Sequence, residues 1–135
     1  MHKQRSVNWL VAIAAIAVAL SGCKSTPVSE AKTVDAKAYA LYGTFVAIEE
    51  QAAVLVQSTA TPIDVKTAIR KADSAVKPVA DALLAASREY LRIKAEVAAG
   101  QTQADKLALA TVNLERWVKE ATPLINNLIA AVGGK

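Results

Sequence analysis

Residues 65–97 read VKTAIRKADSAVKPVADALLAASREYLRIKAEV, and the spacing of their apolar positions decides the fold. An apolar residue recurs every four or three positions along the stretch, at Val65, Ile69, Ala72, Val76, Val79, Leu83, Ala86, Tyr90, Ile93 and Val97. Steps of four and three average 3.5 residues, which is the repeat of packed helices, whereas a strand repeats every two residues. The stretch therefore predicts one long helix with a single apolar seam.

Two further patterns flank this stretch and repeat its spacing. The first contains Val34, Ala38, Leu41, Phe45, Ile48, Ala52 and Leu55, and the third contains Leu107, Ala110, Leu114, Trp117, Ala121, Leu124 and Leu128. Short turns near 59–61 and 100–102 make consecutive helices antiparallel neighbours. We therefore predict an all-α fold, an antiparallel up-down-up three-helix bundle over 34–132, with helices at about 34–58, 62–99 and 103–132 and a stub at 133–135.

Capping residues mark the ends of the predicted helices. Thr61 and Thr102 each precede an acidic residue by three positions, which is the spacing of a threonine N-cap. Pro62 would then occupy the first helical position, where its missing N–H is not needed. Gly100 follows the second helix, and a left-handed glycine commonly ends a helix at this position.

Two prolines lie inside the second and third patterns, where each removes a backbone hydrogen bond. In an antiparallel pair of helices, residues that are equally far from the connecting turn lie at one level. This reflection through the second turn, centred near 100.5, places Pro78 and Pro123 at one level. Reflection of Pro78 through the first turn, near 60.5, leads to Gly43, the one glycine in the first helix. Two interpretations stay open: a coincidence of gentle bends, or a shared hinge layer of Gly43, Pro78 and Pro123.

By the same reflection, the helix segments next to the second turn have no part of the first helix beside them. The first helix begins near Val34, opposite Ser87, while the second helix continues to about Ala99. The hairpin from about 88 to 113 would then expose apolar surface, which usually meets a partner. Its candidate partner-binding residues are Arg88, Leu91, Arg92, Ile93, Lys94, Val97, Leu107 and Leu109. Alternatively, the segment before the first helix folds back over the hairpin through Val28 and Val34.

The charge of the chain argues against nucleic acid as a partner. The 135 residues are 53% hydrophobic, enough for one compact domain, and carry a formal net charge of +4. Two of the 16 basic residues, Lys3 and Arg5, precede Cys23, so residues 24–135 carry 14 basic and 12 acidic side chains with interleaved signs. A nucleic-acid-binding domain concentrates its basic residues on one face, and this sequence shows no such cluster.

The first 20 residues follow the order of an export signal. Residues 1–8 are basic and contain no acid, and residues 9–20, WLVAIAAIAVAL, are apolar or small. Twelve helical residues rise about 18 Å, well short of a hydrocarbon core of about 30 Å. The run is therefore too short for an ordinary membrane-spanning helix and has the length of the apolar region of a signal peptide.

Leu20, Ser21, Gly22 and Cys23 complete this signal, and Cys23 is the only cysteine in the chain. The four residues resemble the lipobox of bacterial lipoproteins, Leu-[Ala/Ser]-[Gly/Ala]-Cys, at every position. The resemblance covers residues 1–23 and implies that the signal peptide, 1–22, is removed. Cys23 would then carry a diacylglycerol on its thiol and an N-acyl chain on its new amino group. Residues 23–33 would form a lipidated, flexible tether.

The resemblance also implies a location. In enteric bacteria an aspartate directly after the lipidated cysteine tends to retain a lipoprotein in the inner membrane, and Lys24 occupies that position here. The expected location is therefore the outer membrane, with the bundle lipid-anchored and facing the periplasm. Because Cys23 is used for acylation, no disulfide supports the fold, and the core alone must hold it.

The segment after the signal lacks the usual catalytic side chains. His2 is the only histidine and precedes Cys23, so no histidine triad or Cys/His metal site is expected after cleavage. Acidic residues never recur three or four positions apart, so no single helix offers a dicarboxylate metal site. Ser74 and Lys77 match the S-x-x-K pattern of penicillin-recognising enzymes, but no K-T-G partner accompanies them. We expect no enzyme, no metal, no cofactor beyond the acyl chains and no small-molecule substrate.

These features favour a non-enzymatic interaction module that a lipid anchor holds at the membrane. Its partner would be an envelope or periplasmic protein, or a second copy bound weakly. One alternative is a structural tether: Lys135 would be joined to peptidoglycan, as the C-terminal lysine of abundant helical lipoproteins of enteric bacteria is. Another is a phage-type lipoprotein of lysis or exclusion.

Lipidation at Cys23 is testable in cells. Radiolabelled palmitate fed to expressing cells should enter the full-length chain, because diacylglycerol is added to the cysteine thiol. Cys23→Ala should abolish the label in the immunoprecipitated protein, since no other thiol is available. Label that persists in the Cys23→Ala protein would contradict the anchor.

Overall fold

The computed structural model describes residues 30–134, and these residues form three helices. Helix α1 spans Val34–Gln57, α2 spans Ile63–Ala98 and α3 spans Ala104–Val132, each end within one residue of its predicted position. All three helices contact one another, so the predicted all-α three-helix bundle is confirmed. The signal and lipidation residues Leu20, Ser21, Gly22 and Cys23, and the wall-attachment candidate Lys135, lie outside the described residues.

The start of α1 has a side-chain cap that the sequence patterns did not single out. Thr33 is extended, and its hydroxyl oxygen accepts a hydrogen bond from the Ala36 N–H at 3.4 Å. The Asp35 carboxylate accepts from the same N–H at 3.1 Å. An acid in the first turn also interacts favourably with the helix dipole. The start of α1 is therefore fixed by two short side chains.

The starts of α2 and α3 differ from the predicted caps. Pro62 and Gln103 are the N-cap residues, and neither helix start has a side-chain cap hydrogen bond, so the predicted caps by Thr61 and Thr102 are wrong. The physical reason at α2 is that Pro62 itself stays extended, at ψ 150°, and its carbonyl accepts from the Lys66 N–H at 3.0 Å. The helix therefore begins one residue later than a Thr61 cap requires.

The end of α2 is closed by Gly100 as predicted. Its φ is +70°, in the left-handed region that glycine adopts without strain. The Gly100 N–H donates to the Val97 carbonyl at 3.0 Å, and the Gln101 N–H donates to the Glu96 carbonyl at 2.9 Å. These two bonds form a Schellman motif, which satisfies carbonyls that the last turn leaves free and reverses the chain toward α3.

The core consists of one apolar seam from each of the three helices, and the three seams pack against one another. On α2 it contains Ile69, Val76, Leu83, Tyr90 and Ile93, on α1 Leu41, Phe45 and Ile48, and on α3 Leu114, Ile125 and Leu128. Burying side chains of this size stabilises the fold by about 1.5–3 kcal/mol each. The one buried polar residue within 30–134 is Ser87, and its hydroxyl donates to the Leu83 carbonyl at 2.8 Å.

The seam of α3 departs from the predicted spacing in its second half. Ile125 is fully buried, whereas Leu124 and Trp117, which the pattern assigned to the seam, are only half-buried. A straight α-helix has 3.6 residues per turn, so a face that begins with a 3.5-residue repeat drifts by about 20° per heptad. From Leu107 to Leu124, about two and a half heptads, the drift is about 50° and turns the buried face from Leu124 toward Ile125.

A matched pair of leucines on α3 tests the core. Leu114 is fully buried and Leu109 is 72% exposed, five positions earlier on the same helix. Leu114→Asp should destabilise the fold by more than about 3 kcal/mol, because it places an unpaired charge in the core. Leu109→Asp should cost less than about 1 kcal/mol. Thermal unfolding followed by circular dichroism measures both, and similar losses would contradict the assigned core.

Candidate interaction surface

The predicted partner surface lies at the ends of α2 and α3 that flank the second turn. The structure buries Ile93, which is 8% exposed, so its assignment to a surface is wrong. Leu91, Val97 and Leu107 are half-buried and pack against the core. Among the apolar members of the predicted set, only Leu109 is largely exposed. The large apolar residues that the hairpin exposes are therefore Leu109 and, one turn later on α3, Val112, which is 64% exposed.

The basic residues of the same hairpin are exposed, and most are engaged by acids. Arg92 contacts Glu96 and donates to Glu89 at 2.6 Å. The Glu89 carboxylate accounts for most of the rise in the pKa of Arg92, and Arg92 in turn lowers the pKa of Glu89. Lys94 pairs with Asp35 of α1 at 3.2 Å, and Arg88 is exposed. Neighbouring carboxylates therefore largely neutralise the predicted basic patch.

The hairpin is covered because α1 reaches further along α2 than reflection through the first turn predicts. That reflection places Asp35 opposite Ala86, whereas Asp35 pairs with Lys94, eight residues further on. Glu49 pairs with Lys77 at 3.1 Å, five residues beyond its predicted level. Both pairs shift in one direction, so the start of α1 lies beside the part of α2 that was expected to be unpartnered.

The segment before α1 extends this cover. Ala31 is 7% exposed, although it lies outside the helix, and Val34 packs against the core. The alternative that the segment preceding the first helix folds back over the hairpin stays a prediction. Val28, the other residue of that alternative, lies outside the described residues.

At the opposite end of the bundle, the start of α2 extends beyond the end of α1. A small cleft of about 160 Å³ brings Val56, near the end of α1, beside Ile69 and Arg70 of α2. Ile63, in the first turn of α2, is 82% exposed. Residues 58–62 therefore lead the chain along the bundle before α2 turns back, and the first turn of α2 projects past the end of α1.

The shifted register also removes Gly43 from the predicted hinge layer. Gly43 lies six residues before Glu49, so its level on α2 is about six residues beyond Lys77, near Leu83. Pro78 is more than one helical turn away from that level. The expectation that Gly43 and Pro78 weaken the bundle in one layer is therefore wrong.

The two prolines do remain at one level. Ala75 and Leu124 line the same groove between α2 and α3, which matches the predicted register of these helices. Pro78 and Pro123 are both exposed, and each helix continues through its proline. An exposed proline leaves the carbonyl of the residue four positions earlier unpaired on the solvent side, where water can bind it. Whether this pair acts as a hinge stays a prediction.

Lys77 joins α1 and α2 in a small ionic cluster. Its ammonium lies 2.7 Å from an Asp73 oxygen and 3.1 Å from a Glu49 oxygen. The hydrogen bond to Asp73 and then that to Glu49 raise the pKa of Lys77 above its ordinary value. The second Asp73 oxygen is buried without a hydrogen-bond partner in the described part of the chain. Because Lys77 is held protonated, it is poorly suited to be the base that an S-x-x-K serine would require.

The outward face of α1 is an exposed surface that the sequence patterns did not single out. Residues 38–48 carry no charge, yet Tyr39 is 51% exposed and Val46 is 37% exposed. Gly43 between them is also exposed. The signal was present in the sequence as a second four-and-three spacing, which includes Ala36, Tyr39, Gly43, Val46, Glu50 and Ala53. We call these six positions the outer seam.

The Asp35–Lys94 ion pair between α1 and α2 can be tested through its pH dependence. The Thr33 hydroxyl lowers the pKa of Asp35 most, partial burial opposes this, and the Lys94 ammonium lowers the pKa further. A lowered pKa means that ionised Asp35 stabilises the fold above its unfolded pKa, near 3.9, and that this contribution is lost as the pH falls through the folded value.

Asp35→Asn should therefore lower stability at pH 7 by about 0.5–1 kcal/mol, and the difference from wild type should close below about pH 4. Denaturant unfolding at pH 7 and at pH 2.5 measures it. Asp105→Asn is the control, because Asp105 also lies in a first helical turn but has no ion-pair partner within residues 30–134. Equal effects of the two substitutions at pH 7 would contradict the role of Lys94.

Within residues 30–134, no three His, Cys, Asp or Glu side chains are placed to share a metal ion. In the same range, no helix combines the length and the apolar character needed to cross a membrane. Comparisons with protein-family models, with curated proteins and with solved structures found no match.

Proposed function

We propose that the chain is a lipid-anchored, non-enzymatic interaction module that faces the periplasm from the outer membrane. The anchor and location rest on the lipobox residues Leu20 to Cys23 and on Lys24 after them. The observation that carries the interaction role is the outer seam of α1. A helix that has already buried one apolar seam in the core presents a second one to solvent, and such faces usually meet a partner.

The polar side chains support binding rather than catalysis. Lys77 is neutralised by two carboxylates, and Arg92 and Lys94 are likewise paired with acids. The cleft beside Lys77 measures about 160 Å³, below the roughly 300–1,000 Å³ of most small-molecule sites. The groove between α2 and α3 is larger, about 380 Å³, but five of its eight lining residues are alanines. These features favour a macromolecular partner over a small substrate.

The structural tether is the second candidate. In an up-down-up bundle α3 runs parallel to α1, so the end of α3 at Val132 lies far from the start of α1 at Val34. A lipid on Cys23 and a link through Lys135 would then emerge from opposite ends of the bundle, as a connection between membrane and peptidoglycan requires. The same arrangement would suit a lysis or exclusion lipoprotein of phage type, which would also work at the envelope.

Crosslinking in intact cells separates these functions. The full-length chain is crosslinked with an amine-reactive reagent, and its adducts are identified by mass spectrometry with and without muramidase digestion. An interaction module should give a protein adduct that Val46→Glu abolishes and Leu109→Glu retains, since both residues are exposed but only Val46 belongs to the outer seam. Muropeptide on Lys135 would instead favour the tether. Absence of both adducts at normal expression would contradict both functions.

A further inference from the structure

The outer seam has the spacing of a helix–helix contact. Its six positions are separated by three, four, three, four and three residues, the same alternation that the three inner seams use to pack together. No other helix within residues 30–134 covers it, because Ala36, Tyr39, Gly43, Glu50 and Ala53 are all exposed and Val46 is 37% exposed. The natural partner for such a face is another helix.

Gly43 gives a second reason to expect a closely packed partner. Glycine inside a helix is less favourable than alanine by about 0.8–1.0 kcal/mol. Gly43 does not have a positive φ, and a Cβ added to it would meet no heavy atom within 4 Å. Nothing in the described chain therefore requires a glycine here. A glycine at this position does let a second helix approach the α1 backbone closely.

The sides of the seam differ in size. At 100° per residue, Tyr39, Val46 and Ala53 lie on one side of its midline, and Ala36, Gly43 and Glu50 lie on the other, so the difference in size is confined to the stretch around Gly43. A twofold axis parallel to the helix places the large side of one copy against the small side of the other. In an antiparallel pair, large side chains would face large ones and small would face small. Around Gly43 the face is therefore complementary to itself in a parallel arrangement.

We propose that the outer seam binds a second copy of this chain, with the two α1 helices parallel and in register near Gly43. This names a partner for the interaction module and rests on the proposed anchor in one respect. Ten residues separate Cys23 from Val34, so two copies anchored in one membrane begin their α1 helices from the same side.

The contact is weak in solution and favoured on a membrane. Tyr39 and Val46 are the only large apolar side chains among the six seam positions, so the contact buries little apolar surface. Glu50 lies within the seam and opposes its own copy in a parallel pair, which weakens the contact further. Anchoring raises the effective concentration of the two copies without adding any contact.

Single-cysteine crosslinking tests the proposal with the full-length chain in cell membranes. Gly43→Cys and Ala53→Cys should each give a disulfide-linked dimer on mild oxidation, because the α-carbons of seam positions in a parallel pair come within disulfide range. Val112→Cys is the collision control, since Val112 is 64% exposed on α3. The unsubstituted chain controls for Cys23. Two differently tagged copies show that the adduct joins copies of this chain.

A charge in the seam should abolish the dimer without unfolding the bundle. Val46→Glu, added to Gly43→Cys, should reduce the dimer to the level of Val112→Cys, while Val112→Glu in the same background should leave it unchanged. Thermal unfolding of Val46→Glu should match that of Val112→Glu, because both valines contact solvent.

Three outcomes would overturn the proposal. They are dimer yields at positions 43 and 53 no higher than at 112, dimer at 43 without dimer at 53, and a dimer that survives Val46→Glu. The second would indicate an antiparallel pair, which holds the two Ala53 positions about 30 Å apart. Palmitate labelling is read separately, so loss of the anchor and loss of self-association are distinguishable.

Discussion

The burial of the α2 seam between α1 and α3 is the constraint on which the rest of the structure depends. Val76 and Leu83 are fully buried, and each faces side chains from both neighbouring helices in one core. Within residues 30–134 there is no cysteine, so apolar burial and packing must offset the conformational entropy of the ordered chain. The ion pairs at the surface, such as Lys77 with Glu49, contribute little to the free energy of unfolding and act mainly on how neighbouring helices are oriented.

The helices and most of the core could be predicted because both follow from local periodicity. A 3.5-residue repeat identifies Leu83 and Leu114 as inward-facing whatever their partners are. The register between helices has no comparable local signal. It depends on the path of residues 58–62, which carry α2 past the end of α1, so the reflection leaves Ile93 on a surface whereas the structure buries it in the core. Reflection through a turn assumes a connection that crosses directly from one helix to the next.

The candidate surface was predicted less well for a related reason. Exposed apolar area was expected where the helices differ in length, at the second turn. It occurs there only at Leu109 and Val112 of α3, and it occurs also on α1, whose outward residues Tyr39 and Val46 follow a second helical spacing beside the inner one. A helix with two apolar faces is evident from the sequence, but which face enters the core depends on the other two helices. Gly43 then distinguishes the outer face, since it serves no packing need inside the bundle.

The anchor at one end of the chain and the contact on the side of α1 should act together on a membrane. The most direct measurement is the rate at which a maleimide reagent labels Gly43→Cys in native membranes, relative to Val112→Cys. The anchored chain should be labelled several-fold more slowly at position 43, and the difference should disappear when Cys23→Ala releases the chain and dilutes it. If the ratio of the labelling rates at positions 43 and 112 is the same in the anchored and the released chain, the account is contradicted.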